Sequence, residues 1–328
     1  MHPLRPKLPL LLLLMLLAAG ALIFSISFGS VSIPAARIWT LLWQDDNSTA
    51  HIILHQLRLP RSLSAFAVGA LLGLAGALMQ VLLRNPLGDP YILGISGGAA
   101  VAVLGAMLLG LPLMWYAPAA TMGALMSMLL VFALARRGSW NTTRLLLTGI
   151  VIAAGWSALI SFVLSLSPPT RLPGMLFWLM GDLSDALSPA LPLLVLAAGL
   201  LASLWLSPRL NLAARGELRA ATLGINTRQL HGWIYVLASV LTAAAVTVAG
   251  AVGFIGLISP HLIRLMAGSD HRIVLPGAAL AGGTLLVLAD TAARTLIAPM
   301  QLPVGVLTAM IGVPVFLFLL HSNYKSGS

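Results

Sequence analysis

The chain has 328 residues, of which 59% are hydrophobic and 8% charged, whereas soluble domains carry about 25% charged residues. This composition excludes a soluble globular protein and leaves room for about ten membrane spans of ~20 residues. The net charge of +10 is spread as single cations or pairs between apolar runs, and cysteine is absent. A nucleic-acid-binding face, a disulfide framework and thiolate chemistry are therefore excluded.

Apolar runs separated by polar or proline-containing breaks predict ten spans. The first follows two N-terminal cations, and we interpret it as a retained helix because it is longer than the apolar region of a signal peptide. The weakest prediction is 251–267, which is short and interrupted by two glycines and a proline. The predicted spans are 8–29, 62–83, 92–110, 113–135, 144–166, 189–206, 229–249, 251–267, 273–297 and 304–321.

The cationic residues predict the orientation of these spans. With the N-terminus in the cytoplasm, 13 of the 18 Lys and Arg residues fall on the cytoplasmic side, as the positive-inside rule expects. An even number of spans then places the C-terminus in the cytoplasm as well. The five cations left outside are Arg37, Arg58, Arg61, Arg171 and Arg294.

Three connecting segments are long enough to hold structure of their own. The outer segments 31–56 and 168–191 each predict a short interfacial helix, the first of them near 34–43. The longest polar cytoplasmic segment is 208–228, in which weak helical spacing is broken by glycines. This segment predicts a pair of short helices that docks on another protein.

The motifs of several enzyme classes are missing from the sequence. It contains no GxxxxGK[ST] loop, so ATP-driven work needs another subunit, and no HExxH motif points to a membrane metalloprotease. Asp290 lies inside a span, where it either marks a proton path or pairs with Arg294 one turn later. His51 and His55 would share a helix face, either as metal or haem ligands or as an exposed pair.

Motifs along nearly the whole chain resemble one family, the permease subunits of bacterial ATP-binding-cassette (ABC) importers for iron chelates, haem and cobalamin. The motifs occur in the order found in that family. They are RLPR at 58–61, RNPLGDP at 84–90, GISGGA at 94–99, RLLLTG at 144–149, FWLMG at 177–181, GFIGLISPH at 253–261, DHR at 270–272, LPG at 275–277 and LPVG at 302–305.

The resemblance implies a fold and a set of partners. It implies an all-α integral membrane protein of the type II importer class, with about ten transmembrane helices in one domain over 1–328. Such a subunit forms a homodimer in the bacterial inner membrane, with two cytoplasmic ATPases and a periplasmic binding protein. The chain would bind no cofactor, because ATP and Mg²⁺ belong to the ATPase. The cargo would be haem or a ferric siderophore, with cobalamin as the alternative, and a solitary proton-coupled carrier is the less favoured function.

The resemblance also implies three groups of site residues. Outward-facing arginines suit bidentate pairing with carboxylates of a binding protein, although anchoring to lipid headgroups is an alternative. The cytoplasmic gate matches the family except at 138–141, where Gly-Ser-Trp-Asn leaves its shape open. The residues implied are Arg58, Arg61 and Arg294 for binding-protein docking; Asn85, Leu87, Thr142 and Thr143 for the gate; and Leu212, Arg215, Glu217, Leu218, Arg219, Leu223 and Gly224 for coupling to the ATPase.

Overall fold

The computed structural model describes residues 8–29, 40–41, 48–135, 142–186, 188–214 and 216–325, with the backbone alone at 217–219, 319–320 and 322–325. Over these residues seven helices are long and apolar enough to cross a membrane, and three shorter helices are also apolar. All ten predicted spans correspond to one of them, so the predicted fold class is confirmed. The helices are α1 Leu8–Ser27, α2 Thr49–Leu82, α3 Ile95–Leu108, α4 Leu113–Ala135, α5 Thr142–Leu166, α6 Leu172–Met180, α7 Ala190–Ala213, α8 Glu217–Thr222, α9 Thr227–Ala249, α10 Ile255–Ala267, α11 His271–Thr295 and α12 Val304–Lys325.

The structure corrects the sequence analysis at segment 208–228. The span predicted to end at 206 continues as α7 through Pro208 to Ala213. Proline cannot donate the N–H that the Leu204 carbonyl would normally accept. The Ser207 hydroxyl donates to that carbonyl instead, at 2.7 Å. The described part of the segment therefore holds the end of α7 and the single short helix α8, rather than a pair of short helices.

The outer segments were partly predicted. Helix α6 confirms the short helix expected within 168–191. The helix expected near 34–43 lies outside the described residues, apart from Thr40 and Leu41.

Helices α2 and α11 form the core of the bundle. They make the most extensive contact between any two helices of the described chain. About 89% of the most apolar stretch of α2 is buried and 72% of that of α11, against 11% for α5. The two backbones approach so closely that a Cβ atom on Gly69 would overlap the Gly282 carbonyl. Small residues permit this approach in a bilayer, where no hydrophobic force drives helices together.

Helices α3 and α10 are too short to cross a bilayer alone. The 14 residues of α3 span about 21 Å, less than the ~30 Å hydrocarbon core. A 3₁₀ turn, Pro90–Leu93, precedes α3, and an irregular segment after α9 precedes α10. The two irregular segments meet inside the protein, where the Val252 N–H donates to the Tyr91 hydroxyl at 3.1 Å. Burial within the protein is what allows irregular backbone at such a depth.

Candidate functional site

The outer arginine cluster consists of Arg58, Arg61, Asp290 and Arg294, at the ends of α2 and α11 that the distribution of cations predicts to face outward. Asp290 is fully buried, and both of its carboxylate oxygens are used. The Arg61 side chain donates to Oδ1 through Nη2 at 2.8 Å and through Nε at 3.1 Å. Arg294 Nε donates to Oδ2 at 3.0 Å. The predicted pair of Asp290 and Arg294 is therefore confirmed, and Arg61 joins it from the neighbouring helix.

The cluster also fastens α1 to the core. Arg294 Nη2 donates to the Ser25 hydroxyl at 2.9 Å, and Arg58 Nη1 donates to the Ile26 carbonyl at 2.9 Å. Ile26 lies in the last turn of α1, where carbonyl groups have no helical partner and the helix dipole favours a cation. Three helices thus share one charged network.

Arg58 ends a π-helical stretch, Ile53–Arg58, inside α2. This wide turn contains one residue more than an α-helical turn, and such turns occur mostly where a helix carries function. It allows Leu54 to be fully buried beside Ile26 and Leu41 while Arg58 reaches α1.

The arginines predicted to dock a binding protein are therefore largely buried. Arg58 is 5% exposed, and the side chains of Arg61 and Arg294 are 11% and 9% exposed. Arg61 Nη1 nevertheless reaches the exposed rim, where it donates to the Gln301 side-chain oxygen at 3.0 Å. Docking and lipid anchoring both remain predictions at these positions. In either function, the buried carboxylate holds two of the guanidinium groups in fixed orientations.

The inner loop between α2 and α3 contains the first two predicted gate residues. The Asn85 side chain accepts the Leu87 N–H at 2.9 Å, which closes a tight turn, and both residues are exposed. Asp89 accepts the Tyr91 N–H at 2.7 Å. Burial raises the pKa of Asp89 to about 6, against the opposing effect of that hydrogen bond.

The other two predicted gate residues open α5. Thr142 is half-buried and Thr143 is exposed. Gly149, two turns later, packs on the Ile92 carbonyl, so the first turns of α5 lie beside the loop that carries Asn85. Helix α5 thus packs on the turn that follows the loop of Asn85 and Leu87, and the gate itself stays a prediction. The divergent residues 138–141 lie outside the described part.

The inner segment comprises residues 216–226 and contains most of the predicted ATPase contacts. Gly224 follows α8 with φ of +79°, and its N–H donates to the Ala221 carbonyl at 3.0 Å. The Ile225 N–H donates to the Ala220 carbonyl at 3.1 Å, which completes a Schellman cap. Asn226 then caps α9 by accepting the Gln229 N–H.

The predicted coupling residues are described to different extents. Leu212 lies in the last turn of α7, and Leu223 is 64% exposed. Glu217, Leu218 and Arg219 lie in α8, of which the structure gives the backbone at these positions. Arg215 lies outside the described residues.

Sequence reasoning missed Asn211. This residue, two positions before the end of α7, hydrogen-bonds Asp270 and His271 at the start of α11. No pattern in the sequence singles out one amide in a polar stretch. The only available signal was Asp270, an N-cap residue directly before the apolar run of α11.

The remaining candidate from the sequence is a histidine pair, and the structure adds a cavity. The rings of His51 and His55 stack with centroids 4.4 Å apart, and His55 Nε2 donates to the Leu41 carbonyl. Among the described residues, no three His, Asp or Glu side chains lie together as metal ligands. A cavity of about 860 Å³ opens beside α6, lined by residues that include Arg171, Trp178 and Asp182. Its volume falls in the range of small-molecule sites.

Comparison with known proteins identifies the family. Residues 13–322 match the model of the FecCD transport family. The hemin transport system permease protein HmuU of Yersinia pestis is 42% identical over 95% of this chain and 93% of its own length. The cobalamin import system permease protein BtuC of Halobacterium salinarum is 42% identical over 84% of this chain and 75% of its own.

A solved structure agrees with these relatives. It is described as an inward-facing ABC transporter of metal-chelate type, and it superposes with a TM-score of 0.83 at 32% identity, covering 96% of this chain and 99% of its own. The resemblance found in the sequence motifs is thus confirmed. The chain belongs to the FecCD transport family of ABC-transporter permeases.

Proposed function

We propose that the chain forms the homodimeric permease of an ATP-driven importer that moves an iron complex, either haem or a ferric siderophore, from the periplasm to the cytoplasm. The observation that carries the proposal is the 42% identity to a hemin permease over 95% of the chain. The likeness to a transporter of metal-chelate type supports the same cargo class.

Cobalamin is the second candidate cargo. It is favoured by the equally high identity to a cobalamin permease, although that match covers 84% of the chain. A solitary proton-coupled carrier fits less well, because the buried Asp290 is shared by two arginines. Both carboxylate oxygens accept hydrogen bonds from guanidinium groups, which is the arrangement of a structural ion pair.

ATP and Mg²⁺ belong to a partner ATPase in this proposal, and the permease chain holds no cofactor of its own. The inner segment is the contact with that ATPase. A small cavity of about 230 Å³, lined by residues that include Gly224, Gln229 and exposed Trp233, would accept a side chain of the partner. Both chain termini lie on the cytoplasmic side. The single domain 1–328 lies in the bacterial inner membrane.

The outer arginine cluster docks a periplasmic binding protein, and the gate residues close the path on the cytoplasmic side. Across a two-fold axis, each gate residue lies near its own copy. Asn85, Leu87, Thr142 and Thr143 can seal a narrow pore through hydroxyl, amide and apolar contacts without burying charge.

Reconstitution tests the transport proposal. The chain is placed in proteoliposomes with the ATPase and binding protein encoded beside its gene, and uptake of haem, a ferric siderophore and cobalamin is measured with and without ATP. ATP-dependent uptake of haem or the siderophore is the expected result. ATP-dependent uptake of cobalamin alone would show that the cargo is cobalamin rather than an iron complex. Uptake driven by a proton gradient without the ATPase would contradict the proposal of an ATP-driven importer.

Cross-linking tests the gate. The chain has no cysteine, so Thr142→Cys or Thr143→Cys introduces one thiol per subunit. We expect an intersubunit disulfide in the closed state, and uptake that is blocked until the disulfide is reduced. Leu223→Cys, at an exposed position of the inner segment, controls for non-specific collision. Absence of cross-linking at both threonines in every nucleotide state would contradict the gate assignment.

A further inference from the structure

The amide side chain of Asn211 connects the end of α7 to the start of α11. Asn211 Nδ2 donates to Asp270 Oδ1 at 2.9 Å. Asn211 Oδ1 accepts the backbone N–H of His271 at 2.9 Å and lies 2.7 Å from His271 Nδ1. Both the donor and the acceptor of one amide are therefore engaged by the same turn of α11.

These bonds do more than cap a helix. Asp270 already caps α11 by accepting the Arg272 N–H at 3.0 Å. Asn211 satisfies a further N–H of the first turn from outside the helix, and backbone groups at that position have no helical partner. His271 is 4% exposed, so loss of the amide would leave buried polar groups unsatisfied. The hydrogen bonds of Asn211 thus fix the end of α7 against the start of α11.

Asn211 also lies close to the inner segment along the chain. Helix α8 begins at Glu217, six residues further on, and it packs on α7 and α9. The Schellman cap at Gly224 and the N-cap at Asn226 give the inner segment a fixed shape built from backbone hydrogen bonds. A displacement of α8 therefore moves the end of α7 that carries Asn211.

Helix α11 extends from this junction to the outer arginine cluster. Its 25 residues span about 37 Å. Its outer end carries Asp290 and Arg294, and close backbone packing on α2 at Gly69 joins it to the helix that carries Arg61. One continuous helix thus has the Asn211 junction at its inner end and, at its outer end, Arg294 and the carboxylate that binds Arg61.

We propose that Asn211 is a positioning residue of the transport cycle, which transmits movement between the inner segment and α11 and so couples ATP hydrolysis to the outer arginine cluster. The inference rests on the proposed function, because it assigns the inner segment to the ATPase and the cluster to the binding protein. Asn211 itself touches neither cargo nor partner.

An amide–carboxylate exchange tests the proposal in the reconstituted complex. Asn211→Asp keeps the acceptor for His271 but sets a second carboxylate against Asp270. The double variant Asn211→Asp with Asp270→Asn restores one donor and one acceptor, and asparagine remains a good N-cap for α11. The quantities measured are basal ATP hydrolysis, its stimulation by the binding protein, and cargo taken up per ATP hydrolysed.

We expect Asn211→Asp to keep basal hydrolysis within about twofold while uptake per ATP falls about tenfold, since couplings between sites are typically 5–150-fold. The double variant should restore uptake per ATP to within about twofold of the wild type. Ser203→Ala is the control for Asn211→Ala, because it removes another polar side chain of α7 whose hydroxyl donates within the helix to the Gly199 carbonyl. It should leave uptake per ATP unchanged where Asn211→Ala lowers it.

The outcomes separate this inference from the proposed function. Wild-type protein without ATP-dependent uptake would defeat the proposed function itself. A transporting wild type whose Asn211→Asp and Asn211→Ala variants keep the wild-type ratio would defeat the inference alone. Where Asn211→Asp does not assemble, the double variant decides: an assembled double variant that stays uncoupled overturns the role of the junction.

Discussion

The two ends of the bundle each contain a buried or half-buried carboxylate, but the two groups are held differently. At the outer end, Asp290 accepts hydrogen bonds from two guanidinium groups that come from different helices. At the inner end, the one hydrogen bond to the Asp89 carboxylate within the described chain comes from the backbone of Tyr91. Side-chain ion pairs thus join helices around Asp290, whereas a local backbone bond shapes the loop around Asp89. A network between helices resists rearrangement, whereas a locally closed loop can move as a unit.

Charge reversal in the outer arginine cluster should have the largest effect. Changing Arg58, Arg61 or Arg294 singly to Glu should weaken docking of the binding protein by several kcal/mol and increase its dependence on salt. Close charge pairs at interfaces couple by about 1.5–7 kcal/mol. Affinity is measured by titration of the binding protein onto the permease in nanodiscs.

Arg171→Glu is the control for these reversals, because Arg171 also faces outward but donates to the Met107 and Leu108 carbonyls away from the cluster. The Arg171→Glu permease should bind the binding protein as tightly as the wild type does. Unchanged affinity in all three cluster variants would remove the docking assignment and leave lipid anchoring.

Removing the shared carboxylate should have the next largest effect. Asp290→Ala leaves Arg61 and Arg294 without their buried counter-ion, and breaking a buried pair costs about 3–5 kcal/mol. Thermal unfolding in detergent measures the loss, and Asp290→Asn, which keeps the size and one acceptor, should lose less. An unfolding temperature unaffected by Asp290→Ala would show that the cluster does not bind the helices together.

The pH dependence of stability tests the inner carboxylate. Burial raises the pKa of Asp89 to about 6 in the folded chain, above the usual value near 3.9, so the folded state holds the proton more tightly. The stability that this proton contributes is present below pH ~4 and is lost as the pH rises through about 6. A shift of this size corresponds to about 2–3 kcal/mol.

The comparison is between wild type and Asp89→Asn, whose unfolding temperatures are measured from pH 4 to 7.5. The wild type should become progressively less stable than the variant up to about pH 6.5, and the difference should then level off. Parallel curves would mean that Asp89 is solvated and ionised throughout.

A glycine exchange in the inner segment should have the smallest effect. Gly224 has φ of +79°, a conformation that costs an L-residue about 1–2 kcal/mol, so Gly224→Ala should destabilise the Schellman cap by about that amount. Gly232, in the interior of α9 with open space around it, is the matched control. Gly232→Ala should instead stabilise by about 0.5–1 kcal/mol. Equal shifts in the unfolding temperatures of the two variants would contradict the assigned backbone geometry.

The sequence was sufficient for the spans but insufficient for the contacts between them. Apolar runs of membrane length have few structural alternatives, which is why all ten predicted spans correspond to helices. Arg61 and Asp290 are 229 residues apart, and no local pattern links them. The pairing of Asp290 with Arg294 was predictable because it lies within one helical turn.

The inner contacts were predictable to a smaller extent. The family motifs indicated the gate loop and the inner segment. They did not indicate that Asn211, at the end of α7, hydrogen-bonds the start of α11. The helix end predicted at 206 is wrong, because α7 continues through Pro208, where the Ser207 side chain replaces the missing backbone donor. A single side chain determines each feature, the Asn211 junction and the end of α7. The partners of these side chains are brought close only by the fold.

The π-helical stretch Ile53–Arg58 has a consequence for how this part of the chain tolerates insertions and deletions. One residue advances an α-helix by about 100°, so the extra residue offsets the phase of everything before it relative to the body of α2. A one-residue deletion there would restore regular α-helix without shortening the apolar span. It would also rotate Leu54 away from Ile26 and Leu41, while Arg61 kept its alignment with Asp290. The stretch therefore sets the rotational register of the outer helix end independently of the membrane-embedded part.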